Sequence, residues 1–211
     1  MLRVNLTAVN VPVDSSVLPS LLRSKSLSAV TYVVSPYVPL SDGLVALVNH
    51  PNVRELHHLE LEGRWDRRDD IARLTHFSQL QFISLTLGSA VWTISILDGL
   101  SQLSQLTDLH IDLKDAYYDW NQLWYIAPPQ NNSQKVSFPT LRKLMVVGSP
   151  ALIFIVLNHI VANHLQHIHI CFAHFITRAD CSRLYQSISR FRSLRKIAHT
   201  LNQNSSPQDP P

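Results

Sequence analysis

The chain has 211 residues, 45% of them hydrophobic and 16% charged, with a net charge of +3 and two cysteines. That composition describes a folded polypeptide, and it excludes a disulfide-stapled framework and a uniformly basic nucleic-acid binder. The charge is uneven: residues 1–113 carry 8 basic and 11 acidic side chains, and residues 114–211 carry 10 and 4.

Taken from the first residue onward, one short pattern returns. Met1-Leu-Arg-Val4-Asn-Leu6 is a stub of it. Weaker copies are Leu27-Ser-Ala-Val30-Thr-Tyr32, Leu56-His-His-Leu59-Glu-Leu61 and Leu194-Arg-Lys-Ile197-Ala-His199. The plainest are Leu80-Gln-Phe-Ile83-Ser-Leu85, Leu106-Thr-Asp-Leu109-His-Ile111, Leu141-Arg-Lys-Leu144-Met-Val146 and Leu165-Gln-His-Ile168-His-Ile170. The fourth positions are 4, 30, 59, 83, 109, 144, 168 and 197, separated by 26, 29, 24, 26, 35, 24 and 29 residues. A Leu-x-x-Leu-x-Leu signature at this period predicts an α/β fold of the leucine-rich-repeat solenoid type. Parallel strands would line an inner curve, helices would lie outside, and about eight irregular repeats would occupy residues 1–201.

Each signature alternates as a half-buried strand does, and helical spacing fills the intervals. Residues 15–23 offer Val17, Leu18, Leu21 and Leu22, and residues 41–50 offer Leu44, Leu47 and Val48 before Pro51. Residues 70–77 offer Ile71, Leu74 and Phe77, and residues 93–103 offer Ile96, Leu97, Leu100 and Leu103. Ser149 is the expected N-cap of a helix with Pro150 in its first position, carrying Leu152, Ile155, Val156, Ile160 and Val161. Thr177 and Asp180 have the spacing of a capping box ahead of Leu184, Ile188 and Phe191. The apolar run Ala151–Leu157 is too short to span a bilayer. Residues 202–211 have neither periodicity nor apolar content and are expected to be disordered.

The longest interval holds Tyr117-Tyr-Asp-Trp120-Asn-Gln-Leu-Trp124-Tyr-Ile126 and then a Pro- and Asn-rich loop. Trp and Tyr dominate binding hot spots, so Trp120 and Trp124 are candidate partner contacts, although a longer repeat could also use them to fill its own volume.

The repeats and their helical intervals resemble the repeat region of intracellular F-box/leucine-rich-repeat proteins, especially the divergent fungal type, over residues 2–201. The resemblance implies substrate capture by the repeats of a ubiquitin-ligase receptor. A ligase adaptor would be a partner only if an F-box lay upstream, because nothing in the sequence matches one; the one Leu-Pro, Leu18-Pro19, sits inside a repeat. Starting inside a signature, the array is expected to be truncated. A cytoplasmic or nuclear location is expected, since no cysteine-rich cap and no signal peptide are evident.

Strand alternation names the face that a partner would meet. From it the candidate protein-binding residues are His58, Glu60, Glu62, Phe82, Asp108, His110, Asp112, Lys143, Met145, His167 and His169, joined by Trp120 and Trp124. Acids gather on the earlier strands, and Lys and His on the later ones. His164, His167, His169, Cys171 and His174 form the densest titratable cluster. His167 and His169 could offer two imidazoles to zinc, but neighbouring strands supply no third ligand. Asp108, His110 and Asp112 lack an accompanying nucleophile or phosphate loop, and the whole chain has five glycines. The expectation is a non-catalytic protein-recognition module with no cofactor, no metal, no nucleic-acid partner and no membrane partner. A free-standing repeat scaffold or inhibitor is the alternative, and a metal-dependent enzyme using the histidine cluster is a more remote one.

Overall fold

A computed structural model describes residues 2–8, 27–34, 40–49, 51, 53–63, 65, 68–87, 91–113, 135–173 and 176–201. The expected helix over 15–23, the insert with Trp120 and Trp124, His174 and the tail 202–211 lie outside the described residues.

The repeated signature becomes the spine of one sheet. Strands β1 (Leu2–Ala8), β2 (Leu27–Val34), β3 (His58–Glu62), β4 (Phe82–Thr86), β5 (Asp108–Asp112), β7 (Lys143–Gly148), β9 (His167–Phe172) and β10 (Lys196–Leu201) lie side by side in chain order. The short strands β6 (Val136–Ser137) and β8 (Ile160–Val161) pair apart from it. Every pairing within the large sheet is parallel. The register places Val4, Val30, Leu59, Ile83, Leu109, Leu144, Ile168 and Ile197 in a single row across the sheet. These are the eight fourth positions of the signature. A second apolar row, two residues on, holds Tyr32, Leu61, Leu85, Ile111, Val146 and Ile170.

Parallel strands need crossovers, and helices supply them on one face. The described helices are α1 (Ser41–Val48), α2 (Arg68–Leu74), α3 (Val91–Leu100), α4 (Pro150–His159) and α5 (Arg178–Ile188). Their Leu44, Leu47, Leu74, Ile96, Leu97, Ile153, Val156 and Leu184 join the first row from Val30 to Ile168, and the second row, in one continuous buried cluster. Gly43 and Gly99 allow close approach: a methyl group at Gly43 would meet the Tyr32 ring at 2.3 Å, and one at Gly99 would meet Ile71 at 2.5 Å. Among the described residues no helix is long and apolar enough to cross a membrane.

The connection from helix to strand is also repeated. Buried apolar residues succeed one another at three-residue steps, joined by i→i−3 hydrogen bonds, through Leu74–Phe77–Leu80 and Leu100–Leu103–Leu106. Ile188–Phe191–Leu194 uses the same turn. Just ahead of β3, β4, β5, β7 and β9 one carbonyl accepts from two successive N–H groups that lead into the next strand of the sheet. The carbonyls of His57, Gln81, Thr107, Arg142 and Gln166 all do so.

The capping box at Thr177 and Asp180 forms: the Thr177 hydroxyl accepts from Asp180 N–H, and the Asp180 carboxylate accepts from Thr177 N–H. The Thr177 backbone N–H and hydroxyl hold the Asp180 carboxyl below its ordinary range. Ser149 sits at the N-cap of α4 and Pro150 in its first turn, but no side-chain cap bond forms.

The helices stop sooner than their spacing suggests: α2 ends at Leu74 and α3 at Leu100, so Phe77 and Leu103 lie in the turns that follow. Two further expectations need correcting. Ile160 and Val161 do not continue α4; as β8 they pair in parallel with β6. Two adjacent β-branched residues favour extended backbone, and Val136–Ser137 supplies the partner. Ile197 occupies a core position of the signature yet is 46% exposed, because β10 is an edge strand among the described residues and no described helix comes after it.

Candidate protein-binding face

The sheet face opposite the helices presents three rows of side chains. The first runs Ala29, His58, Phe82, Asp108, Lys143, His167, Lys196. The second runs Thr31, Glu60, Ser84, His110, Met145, His169, Ala198, and the third Val33, Glu62, Thr86, Asp112, Val147, Cys171, Thr200. All are partly exposed or exposed except Ala29, which is buried. The alternation of partly exposed and buried residues is regular in β3, β4 and β5. Every described strand residue named above as a candidate therefore lies on this face. Thr200 belongs to it as well, although the last copy of the signature stops one residue short of it, at His199.

The rows are tied together by polar contacts across strands. Glu60 accepts from His58 Nε2 at 2.7 Å and from the Thr31 hydroxyl at 3.1 Å. The His58 ring stacks on Phe82, with centroids 4.1 Å apart and planes within 4°. Ser84 Oγ lies 2.8 Å from His110 Nδ1. Asp108 accepts from Lys143 Nζ at 2.7 Å and from the Thr107 hydroxyl at 2.8 Å. Glu60 and Asp108 are thus engaged within the protein, which changes how charge on this face can be probed. Among the described residues neither the Glu62 carboxylate nor the Lys196 ammonium meets a partner, so reversing either alters the field of the face without cutting an internal bond. The Asp108–Lys143 pair was legible in the anchors: each residue immediately precedes its fourth-position leucine, so alignment of Leu109 with Leu144 sets the two side by side.

At the far side, Cys171 Sγ lies 3.5 Å from His169 Nε2 and accepts from the Thr200 hydroxyl at 2.9 Å. His167 is on the same face, one alternation earlier. Among the described residues no group of three His, Cys, Asp or Glu side chains is placed to hold a metal. Two ligands on one strand leave zinc short of the usual protein set. Calorimetric titration with zinc is therefore expected to show no binding tighter than about micromolar. A stoichiometric site abolished by His167→Ala together with His169→Ala would restore the metal reading.

Arg190, in the turn that follows α5, has a structural task. Its guanidinium donates to the carbonyls of Asn158 and Ile160 at 3.3 and 2.9 Å and lies 5.0 Å from the Phe191 ring centroid. Partial burial lowers its pKa from the usual guanidinium value. It satisfies carbonyls left open at the C-terminal end of α4.

Over β4, β5, β7, β9 and β10 the face encloses a hollow of about 620 Å³, lined among others by Phe82, Asp108, Lys143, Met145, His167 and Lys196. Comparison of the chain with protein-family models and with curated proteins finds no match.

Proposed function

We propose that the chain is a leucine-rich-repeat solenoid that serves as a non-catalytic protein-recognition module, with the three-row sheet face as its docking surface. The observation that carries this reading is the face itself. Across seven strands it presents aligned polar, charged and aromatic groups, and no described element covers it. The aligned fourth positions and the repeated turn with its two-N–H carbonyl support a solenoid, in which each unit buries its apolar side only against its neighbours. The ion pair and hydrogen bonds among Asp108, Lys143 and Thr107 favour a surface that holds its shape. A preformed surface loses less on association than one that must order its side chains.

The setting that the resemblance implies, the substrate-binding part of an F-box-type ubiquitin-ligase receptor, belongs to the same proposal, as does a cytoplasmic or nuclear site of action. Two free cysteines are in keeping with a reducing compartment.

The test is capture of a partner by the tagged chain, and then binding kinetics of variants. Glu62→Lys and Lys196→Glu are expected to slow association and change its salt dependence, because charges at a docking surface act mainly on encounter. Arg183→Glu, on the exposed side of α5, is expected to leave the kinetics unchanged. A partner indifferent to both face variants and lost on Arg183→Glu would move the interface to the helices.

A further inference from the structure

Resting on the reading of the sheet face as a docking surface, we propose that the hollow over β7, β9 and β10 receives an acidic segment of a partner protein. The argument is one of uncompensated charge. The nine face positions on these strands are Lys143, Met145 and Val147, then His167, His169 and Cys171, then Lys196, Ala198 and Thr200. None is acidic. Lys143, His167 and Lys196 stand in one row, on neighbouring strands about 4.8 Å apart.

The nearest carboxylate, Asp108, is already shared between Lys143 Nζ and the Thr107 hydroxyl, so Lys196 draws no counter-charge from it. Beyond Asp112 the described residues contain one further acid, Asp180. It is held by Thr177 in the capping box of α5, in the helix layer. Among the described residues no acid faces the exposed Lys196, so an acidic segment arriving here would meet no internal competitor for it. Met145 and Ala198 in the same hollow add apolar surface that a peptide side chain can cover.

The rest of the face limits what kind of polyanion fits. Glu60, Glu62 and Asp112 lie in the adjoining rows on β3 and β5. A nucleic-acid strand, with its charge repeated along its whole length, would run from the basic end onto these carboxylates. A short acidic peptide stretch can end before them. Recognition of single strands also favours Phe, Tyr or Trp rings interleaved with the cations; the hollow has only Phe82 among its lining residues, and that ring is already stacked on His58.

The experiment is fluorescence anisotropy at low ionic strength with the full chain and three labelled probes: hexaglutamate, hexalysine and a single-stranded DNA oligonucleotide. Hexaglutamate is expected to bind saturably, and Lys196→Glu to weaken it by about tenfold. Arg183→Glu changes net charge equally but lies on α5, and it is expected to leave affinity within about twofold. Lys196 and Arg183 are both exposed, and circular dichroism checks that each variant remains folded. Equal losses in the two variants would overturn the inference, since attraction would then track net charge alone. So would tighter binding of the DNA with the same dependence on Lys196, which would make the hollow a nucleic-acid site. Preferential binding of hexalysine, lost on Glu62→Lys, would overturn the acidic segment and leave the face standing as a docking surface. If no probe binds, the acidic segment is rejected, and the docking surface is judged separately by the capture experiment.

Discussion

Leu144→Ala is expected to lower the free energy of unfolding by about 2–5 kcal/mol, measured by urea denaturation. Leu144 is 1% exposed and sits between Leu109 and Ile168 in the stacked row. Shortening it removes buried methyl groups and leaves a cavity that neighbours on both sides are too constrained to fill, because strand spacing is fixed by the hydrogen-bond ladder. The comparison that gives the measurement its meaning is Ile197→Ala. The same place in the signature, but 46% exposed, should cost well under about 1 kcal/mol, as surface changes usually do. If the two variants lost stability equally, membership in the signature and not burial would be setting the energy, and the row would not be the core. Leu144 also links the core to the opposite face of the sheet. It alternates with Lys143 and Met145, which face the hollow, so a cavity beneath the sheet would loosen the row that holds the Asp108–Lys143 pair.

Much of this arrangement was legible in the sequence, because a period-two strand pattern combined with a repeat fixes both face and register. Once Leu109 and Leu144 are recognised as equivalent, the rows can be written down, and with them the meeting of Asp108 with Lys143 and of His58 with Phe82. The capping box was legible for a different reason: its partners are three residues apart and need no tertiary information. What escaped was decided by contacts between units at places where the signature is silent. The β-branched pair Ile160 and Val161 is only a weak local mark of extended backbone, and the strand Val136–Ser137 alongside decides the outcome. The exposure of Ile197 depends on its neighbours in space and not on its own residue type. Likewise the pairing of Glu60 with Thr31 and His58 binds within the sheet a charge that residue type alone would leave free. Asp70 is the largest omission. Its sequence context marks only the start of a helical segment, whereas its carboxylate is fully buried.

That carboxylate sets the second large effect, a loss of roughly 3 kcal/mol on Arg73→Ala. Asp70 lies in the first turn of α2 and is 0% exposed; Arg73 donates to its Oδ1 at 2.7 Å, and the Ser41 hydroxyl of α1 donates to its Oδ2 at 2.8 Å. One group thus joins two successive helices and caps its own helix end with negative charge, where the helix dipole favours it. Among the described residues, removing Arg73 leaves a buried charge with a single neutral donor, and stranding one member of a buried pair typically costs about 3–5 kcal/mol. The lower end applies because the Arg73 side chain is itself about a quarter exposed, so part of its interaction is already screened by water. Combining Arg73→Ala with Asp70→Asn removes the stranded charge and should recover part of the loss, which separates the penalty of an unpaired carboxylate from the packing lost with the arginine stem. A loss under about 1 kcal/mol in the single variant would mean that Asp70 is readily hydrated when its partner goes, and that the pair is no more than a surface contact. A full loss would mean that the Asp70 carboxylate stays buried and charged, with the Ser41 hydroxyl of α1 as its remaining donor among the described residues. Gly43 of α1 abuts the Tyr32 ring of β2, so the placing of the neighbouring Thr31 opposite Glu60 is tied to the helix layer through α1.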